Sequence, residues 1–416
     1  MGSTKRRALG ALMLGWVALV ACTPTGPVDP SATSTTSTTD STTTTESTTT
    51  TESTTTTTTT TAPPSVVRHS PNFDHSCALM STGSIRCYGA NARGQLGNGT
   101  TAPSLSAVEV LSNATFTSLG EAQGLWNCGV TTTGGAQCWG YNFYGQLGDR
   151  TTTDRSTPVD VQGLEGVEEI ATGNTHACAR LADGSLRCWG DSYFGELGAG
   201  NVTGTQFAPI PVVGLSDATD VEVGNLRSCA TVASGALYCW GSNTNGALGD
   251  GTTVQRNTPV QVLGVEDAVD VELGSGGHTC ALEASGTVKC WGSNNFGAIG
   301  LGTAPNSPTP VVVAPLSGAV DIATGYSHTC GLFEDGSVSC IGMNTDGQLG
   351  DGTTTSRRTF APVQGLVGAI GVDADSYSTC ANTATQRFCW GRNSSGQLGD
   401  GTSVQRTAPV LVTALP

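Results

Sequence analysis

Residues Cys178–Gly190, CARLADGSLRCWG, and the following Gly195–Gly198, GELG, form the unit from which this chain is built. The unit occurs seven times, at intervals of 49–51 residues. Its cysteine pairs are Cys77 with Cys87, Cys128 with Cys138, Cys178 with Cys188, Cys229 with Cys239, Cys280 with Cys290, Cys330 with Cys340, and Cys380 with Cys389. A period this regular indicates a repeat architecture.

Four short strands are predicted in each repeat. In the third repeat they cover Pro158–Val161, Val167–Gly173, His176–Leu181 and Ser185–Trp189. Four strands in about 50 residues are typical of a β-propeller blade. The sequence therefore predicts an all-β fold over residues 65–416, a seven-bladed β-propeller of four-stranded blades.

The cysteine spacing predicts the turn between the third and fourth of these strands. Cysteines ten residues apart and directly opposite leave the three-residue loop Ala182–Gly184, whose last residue favours a left-handed conformation. Glycine occupies that position in the six repeats with this spacing, at residues Gly83, Gly134, Gly184, Gly235, Gly286 and Gly336. Cys380 and Cys389 are one residue closer and have no glycine between them, which predicts a two-residue turn at Ala384 and Thr385.

Opposite cysteines at a non-hydrogen-bonded position of a hairpin have Cα atoms about 4.5 Å apart, close enough for a disulfide. We therefore predict that each of the seven pairs closes its own hairpin. Zinc is the rival interpretation, because His-x-Cys recurs, but zinc sites usually place cysteines two to four residues apart. We expect neither a metal nor a cofactor.

Two other repeated positions are predicted to be structural. Four of the five histidines stand two residues before the first cysteine of a pair, at His75, His176, His278 and His328. No acid or nucleophile motif accompanies them. A repeated arginine, at Arg155, Arg256, Arg357 and Arg406, is expected to form an ion pair or to cap carbonyl groups.

The net charge of the 416 residues is −15. Loss of a leader that carries Lys5, Arg6 and Arg7 would lower it by three, to −18. A chain of this charge repels phosphate backbones, so we expect no nucleic-acid partner. We find no nucleophile elbow, metal-ligand cluster or phosphate loop, and expect no enzyme activity.

The first 21 residues are predicted to be a lipoprotein signal peptide. A basic segment, Lys5–Arg7, precedes the apolar run Ala8–Ala21, which is too short to span a bilayer comfortably. The end of this run, LVAC, resembles the bacterial lipobox, which implies cleavage and acylation at Cys22. We expect an exported protein that contacts the membrane only through this lipid, at the bacterial outer membrane or cell surface.

Residues 22–64 are predicted to be a disordered linker. Residues 31–61 contain 21 threonines and 6 serines, so they cannot bury apolar surface. Such tracts act as stalks and are often O-glycosylated. We expect the linker to hold the propeller away from the membrane.

The repeats resemble those of the regulator of chromosome condensation family. Ile322–Leu332, IATGYSHTCGL, and Gly396–Thr402, GQLGDGT, carry the resemblance, which extends over residues 66–416. It implies a seven-bladed propeller. Because only Val66 and Val67 precede the first hairpin, we expect the C-terminal strand Pro409–Val412 to complete blade one and close the ring.

Three functions are compatible with this fold. The first is a cell-surface module, a monomer, that binds a protein or a glycan. The second is inhibition of a secreted enzyme, as in a bacterial β-lactamase inhibitor that shares this propeller. The third is guanine-nucleotide exchange, the activity of the founding member, which export and the even repeat spacing disfavour.

The candidate binding patch lies where the repeats differ. Aromatic residues follow the Trp-Gly motif in blades two, three and five, whereas other blades have small or polar residues there. Aromatic residues are enriched at binding hot spots. The patch comprises Tyr141, Phe143, Tyr144, Tyr193, Phe194 and Phe296, with Trp126 expected to connect blades two and three.

Overall fold

The computed structural model describes residues 64–202 and 204–415. Within these ranges it contains 29 strands and three short 3-10 turns, at Thr244–Gly246, Asn295–Gly297 and Ala314–Leu316. The predicted signal peptide, Cys22 and the linker up to residue 63 lie outside the described residues.

The first four blades cover the amino-terminal part of the propeller. Blade one comprises β1 Val66–Pro71, β2 His75–Met80, β3 Ile85–Gly89 and β4 Ser104–Glu109. Blade two comprises β5 Phe116–Leu119, β7 Trp126–Thr131, β8 Ala136–Gly140 and β9 Arg155–Asp160, and the two-residue β6 Glu121–Ala122 lies in the connection between β5 and β7. Blade three comprises β10 Val167–Thr172, β11 His176–Leu181, β12 Leu186–Gly190 and β13 Gln206–Pro211. Blade four comprises β14 Ala218–Val223, β15 Arg227–Val232, β16 Leu237–Gly241 and β17 Arg256–Gln261.

The last three blades follow the same order. Blade five comprises β18 Ala268–Gly274, β19 His278–Glu283, β20 Val288–Gly292 and β21 Ser307–Val312. Blade six comprises β22 Ala319–Thr324, β23 His328–Phe333, β24 Val338–Gly342 and β25 Arg357–Pro362. Blade seven comprises β26 Ala369–Asp375, β27 Ser378–Thr383, β28 Arg387–Gly391 and β29 Arg406–Leu411.

Each blade is an antiparallel meander whose four strands pair in chain order. The first strands of successive blades contact one another around the ring, so they are the innermost strands. In addition, β6 pairs in parallel with β10, which gives the sheet of blade three a fifth strand. The prediction of an all-β, seven-bladed propeller is confirmed.

The seven predicted disulfides are present, and each closes one hairpin within one blade. The two cysteines of every pair lie directly opposite each other in the strand register. Their Cα atoms are 4.0–4.1 Å apart. The bonds join Cys77 and Cys87, Cys128 and Cys138, Cys178 and Cys188, Cys229 and Cys239, Cys280 and Cys290, Cys330 and Cys340, and Cys380 and Cys389.

The predicted turns are also confirmed. In blade three the amide of Gly184 donates to the carbonyl of Leu181 at 2.9 Å, and Gly184 has a φ of 79°. The six equivalent glycines have φ values of 77–81°. In blade seven the amide of Thr383 donates to the carbonyl of Gln386 at 2.8 Å, which closes a two-residue turn.

The Trp-Gly and Gln-Leu-Gly motifs meet between neighbouring blades. The indole of Trp189 in blade three donates to the carbonyl of Gln146 in blade two at 2.8 Å. Four other tryptophans make the same bond to the preceding blade: Trp139, Trp240, Trp291 and Trp390. The leucine that follows the accepting carbonyl, such as Leu147, is fully buried. The two motifs thus join each blade to the next.

The predicted ring closure is wrong. The C-terminal strand β29 pairs with β28 of its own blade seven, and blade one is complete because β1 is a full six-residue strand. The ring closes by side-chain contacts between blades seven and one. The hydroxyl of Ser76 donates to the carbonyl of Gln397 at 2.8 Å, and Tyr88 takes the place of the tryptophan beside Gly399.

The outermost strand of each blade contains the repeated Pro-Val segment or its equivalent. The sequence predicts Pro158–Val161 as the first strand of the third repeat. In the structure this segment begins within β9, which is the outermost strand of blade two. Proline has no amide hydrogen, so it suits an edge strand and limits pairing with other chains.

The repeated arginine forms the predicted ion pair. Arg256 donates from Nε to Asp250 Oδ2 at 2.7 Å, and the hydroxyl of Thr252 donates to Asp250 Oδ1 at 2.8 Å. Burial acts to raise the pKa of Asp250, but these hydrogen bonds hold it below its ordinary value. The pairs Arg155–Asp149, Arg357–Asp351 and Arg406–Asp400 are equivalent.

Candidate functional site

The loops after the Trp-Gly motifs lie on one face of the ring. In an antiparallel meander, the connection between strands one and two and the connection between strands three and four are at the same end of the sheet. We call this end of the propeller the loop face. The inner loops surround the central channel, and the outer loops carry the predicted aromatic patch.

Blade two presents three aromatic rings on the loop face. Tyr141 and Phe143 are stacked with centroids 6.4 Å apart, and Tyr144 packs edge-on against Phe143 at 5.1 Å. Phe143 is 63% exposed. The guanidinium of Arg93, from blade one, lies 5.0 Å from the Tyr141 ring centroid and also pairs with Asp154 at 3.2 Å. This arrangement combines exposed aromatic area with a positioned cation.

Blade three presents a second aromatic pair. Tyr193 is 76% exposed, and its ring meets Phe194 edge-on at 5.0 Å. Phe296 of blade five is 40% exposed. Ring contacts join these aromatics within blade two and within blade three, and over residues 64–202 and 204–415 none joins one of the two blades to the other.

Trp126 does not belong to this surface, so its prediction as a member of the candidate binding patch is wrong. Its side chain is fully buried, and its indole donates to the carbonyl of Gly173 in blade three at 3.0 Å. Trp126 occupies the repeated histidine position, where the side chain reaches to the next blade. Its large side chain packs between blades two and three.

The four repeated histidines have the predicted structural role. All four are buried. His176 Nε2 lies 2.8 Å from the Ser228 hydroxyl, and His328 Nε2 lies 3.0 Å from the Thr379 hydroxyl, each on the next blade. Burial lowers the pKa of His176 and of His328 to about 3, so both are neutral at physiological pH.

A second aromatic group, which the sequence reasoning missed, lies where blades six, seven and one meet. Tyr326 stacks on Tyr377 with centroids 5.6 Å apart, and Tyr377 meets Phe73 edge-on at 6.0 Å. The guanidinium of Arg392 lies 5.3 Å from the Tyr377 centroid and 5.6 Å from that of Phe73. We call these four residues the seam cluster.

Comparison of the inner loops could have found the seam cluster. Phe73 and Tyr326 stand two residues before the repeated histidine, and Tyr377 stands one residue before Ser378, the equivalent residue of blade seven. Blades two to five have Gly124, Asn174, Asn225 and Gly276 two residues before that position. The aromatic residues adjoin only because blade seven closes against blade one, which no single repeat shows.

Carboxylates lie along the central channel. Glu222, Glu272 and Asp373 stand on innermost strands, opposite the first cysteine of their blades, and are 5–8% exposed. Burial raises the pKa of the nearby Asp375 to about 7, even though hydrogen bonds from Ser376 act to lower it. Acidic side chains therefore line the channel, which the repeat pattern alone does not reveal.

A segment of blade two crosses the channel. Glu121 pairs with Ala171 of blade three through the parallel β6–β10 ladder. Two residues further on, the Gln123 side-chain amide donates to the carbonyl of Leu273 in blade five at 2.6 Å. This bond joins two blades that are not neighbours, so the channel is bridged.

Two classes of site are not found in the described part of the chain. Over residues 64–202 and 204–415, no three His, Cys, Asp or Glu side chains are grouped as metal ligands. Within the same ranges, no helix has the length and apolar character needed to cross a membrane.

The geometry defines a disulfide-closed propeller with aromatic groups on one face, and comparisons with known proteins identify its family. Two sequence models, both described as the regulator of chromosome condensation (RCC1) repeat, match most of the propeller. One matches residues 134–180, 234–282, 285–332 and 387–416, and the other matches 72–95, 167–196, 218–247, 268–298 and 319–348. The chain belongs to the RCC1 repeat family.

Relatives share the repeats but differ in length. The chain is 31% identical over 259 residues to human E3 ubiquitin-protein ligase HERC2, covering 59% of this chain and 5% of HERC2. It is 30% identical over 248 residues to the ultraviolet-B receptor UVR8 of Arabidopsis thaliana, covering 58% of this chain and 56% of UVR8. The matches thus span about half of UVR8 and a small part of HERC2.

Solved structures agree with the fold. Prp20p from Saccharomyces cerevisiae, a crystal structure described together with binding to Gsp1p and histones, superposes with a TM-score of 0.70. The match has 19% sequence identity and covers 83% of this chain and 86% of Prp20p. At this identity the likeness establishes the fold.

Proposed function

We propose that this protein is an exported, lipid-anchored binding module that recognises a protein through the loop face of its propeller. The observation that carries the proposal is the exposure of Phe143 and Tyr193 on that face, at 63% and 76%. Rigid aromatic side chains supply large contact area with little loss of conformational entropy, and they are enriched at binding hot spots.

Electrostatics also favours a protein ligand. Arg93 is held over Tyr141 and beside Asp154, so its guanidinium is positioned before a partner arrives. Arginine and aromatic residues are both enriched at the cores of protein interfaces. The structural relative Prp20p is described with protein ligands, Gsp1p and histones, which supports protein recognition by this type of propeller. A glycan is the alternative ligand.

Enzyme inhibition and guanine-nucleotide exchange are the two other candidate functions. Inhibition of a secreted enzyme is a special case of protein binding, and it applies if the bound partner is an enzyme that loses activity in the complex. Guanine-nucleotide exchange is disfavoured because the predicted leader and the seven disulfides favour a compartment outside the cytosol. We propose that the protein binds and does not catalyse.

The test of the proposal removes the two exposed rings. Cell-surface extracts of the source cells are passed over the purified wild-type chain and over F143A/Y193A. We expect a protein that wild type retains to be lost, or bound at least about tenfold more weakly, by F143A/Y193A, because removal of a hot-spot aromatic typically costs 2 kcal/mol or more.

The matched control changes the opposite face. Val367 is 84% exposed in the connection between blades six and seven, so V367A removes apolar surface away from the loop face. V367A should bind as wild type does, and all variants should melt at similar temperatures because the changed residues are exposed. Equal retention by F143A/Y193A and V367A, or a ligand released by glycosidase treatment, would contradict the proposal.

The lipid anchor has its own test. We propose acylation at Cys22, which the order of basic segment, apolar run and cysteine supports. Growth with a radiolabelled fatty acid should label the wild-type chain, and C22A should be unlabelled and released into soluble fractions. Equal label in C22A would show that the lipid, if present, is attached elsewhere.

A further inference from the structure

Arg150 replaces a repeated glycine on the loop face. It lies in the outer loop of blade two, between β8 and β9. Arg150 has a left-handed backbone, with a φ of 63°, which is unfavourable for a residue that has a Cβ. The other six blades have glycine at the equivalent position, with φ values of 59–80°. These glycines are Gly99, Gly200, Gly251, Gly302, Gly352 and Gly401.

The fold requires this backbone conformation because the amide of the residue joins two blades. The N–H of Arg150 donates to the carbonyl of Phe207, on the outermost strand of blade three, at 3.0 Å. Gly200 and Gly251 make the same bond to the blades that follow them, at 2.9 and 3.0 Å. Glycine would make this bond without strain, so the repeat architecture does not account for an arginine. Strained backbone positions cluster at functional sites.

The side chain of Arg150 is exposed, and its charge is available to a partner. In the described part of the chain, its guanidinium makes no ion pair and no hydrogen bond. The two carboxylates of the same loop are engaged elsewhere. Asp149 pairs with Arg155 at 2.7 Å, and Asp154 pairs with Arg93 at 3.2 Å.

Aromatic surface adjoins Arg150. Phe207, whose carbonyl accepts the Arg150 amide, is 42% exposed. The Phe207 ring packs on the backbone at Gly145, since a Cβ placed there would lie 2.4 Å from Phe207 Cδ1. Gly145 directly follows Tyr144, which packs edge-on against Phe143. These three rings and Arg150 thus lie together at the junction between blades two and three.

We propose that this junction binds an acidic segment of a protein, with Arg150 paired to one of its carboxylates. This assignment rests on the proposed function of the loop face and names the chemistry of the partner. A guanidinium can donate two parallel hydrogen bonds to a carboxylate. Phe143 and Phe207 suit apolar side chains beside that carboxylate, because neither ring offers a hydrogen-bonding group to the hydroxyls of a sugar. The net charge of −15 opposes non-specific attraction of an acidic ligand, so binding depends on the local arginine.

Fluorescence anisotropy of labelled probes tests this proposal on the purified full chain. The acidic probe is a synthetic peptide in which glutamates alternate with tyrosines, and the neutral probe has glutamine in place of each glutamate. Heparin represents an acidic glycan. We expect saturable binding of the acidic peptide alone. R150G should weaken it at least about fivefold because a hydrogen-bonded ion pair is lost, and R150K, which keeps the charge without the planar fork, should bind with intermediate affinity.

The control R187Q separates this site from general electrostatics. Arg187 is the second residue of β12, next to the hairpin turn at the opposite end of blade three, and it is partly exposed. R187Q changes the net charge by as much as R150G does, and it should bind the acidic peptide as wild type does. R150G should melt at the wild-type temperature or about 1–2 °C above it, because relief of backbone strain offsets the added freedom of the unfolded chain.

Four results would overturn the proposal. They are no saturable binding of the acidic peptide, equal affinity of wild type and R150G for it, equal weakening in R187Q, and binding of heparin that R150G loses, which would identify an acidic glycan as the ligand. Retention of a cell-surface protein by wild type and its loss in F143A/Y193A do not require an acidic partner. If that protein is retained and the acidic peptide is not bound, the proposed function stands and only the acidic partner is excluded.

Discussion

Glu196 occupies a position that is glutamine in four other blades. In blade two the side-chain oxygen of Gln146 accepts a hydrogen bond from the Tyr144 amide at 2.9 Å, and in blade three Glu196 Oε2 accepts one from the Phe194 amide at 2.7 Å. Glu196 is fully buried. Burial, with a contribution from Asp191, raises its pKa to about 7, so below this pH the neutral acid takes the place of the neutral amide.

Glu196 should make stability depend on pH. Because its pKa is raised in the folded chain, its favourable contribution is complete below the unfolded value near 4.5 and is lost as pH rises through about 7. E196Q should therefore be more stable than wild type by about 1–3 kcal/mol at alkaline pH, with little difference at acidic pH. Urea unfolding of both chains across this pH range measures the effect.

The exposed variant E165Q serves as the control for removal of a carboxylate, and it should follow wild type at every pH. A gain for E196Q that is the same in acid and in alkali would show that the carboxyl of Glu196 does not titrate with a raised pKa.

At the scale of the element, the disulfide hairpin shows how local spacing determines geometry. Two observations, a spacing of ten positions from one cysteine to the next and a glycine before the second strand, are sufficient to predict the register, the loop and the left-handed residue at Gly184. Blade seven confirms the same rule, since it lacks both the residue and the glycine. Such features are predictable because all the interacting residues lie within one short segment.

Two glycine substitutions distinguish the effects of conformation and space. Gly184 and Gly163 both have positive φ, at 79° and 74°. A Cβ on Gly184 would lie 2.9 Å from the Ser216 carbonyl oxygen, whereas Gly163 has no heavy atom within 4 Å of that position. G163A should lose about 1 kcal/mol and G184A about 2–4 kcal/mol of the free energy of unfolding.

Denaturant unfolding of the two glycine variants and wild type measures this difference. The conformational penalty is common to both, so the excess in G184A reports the contact with the next inter-blade connection. Equal losses would mean that the connection at Ser216 moves aside freely.

At the scale of the whole molecule, the sequence predicted the number of blades but not how the ring closes. Counting repeats cannot distinguish a strand shared between the two ends from seven complete blades, because both need the same number of strands. The distinction depends on whether β1 is long enough to pair along β2, and Arg68, His69 and Ser70 do so. Tyr88 also contributes to the contact between blades seven and one, and its hydroxyl lies 2.7 Å from His69 Nε2.

The candidate site was predictable only in part, because some of its contacts join residues that are far apart in the sequence. Phe143 and Tyr193 are exposed as expected, because departures from a repeat at loop positions tend to reach the surface. Trp126 was misassigned because its contact, Gly173, lies 47 residues away in the next blade. The bridge from Gln123 to Leu273 spans 150 residues, and no pattern in the repeats indicates it.

The hairpin disulfides also bear on biosynthesis. Every bond joins one cysteine to the next along the propeller, so the pairing order equals the order in which the cysteines would leave a channel during the proposed export. An oxidant that joins each new thiol to its predecessor would produce the native set without isomerisation. Cys22 would emerge first and would shift that sequence by one position. Acylation at Cys22, as proposed, removes this thiol from oxidation, so the lipid would protect the fidelity of folding as well as hold the protein at the membrane.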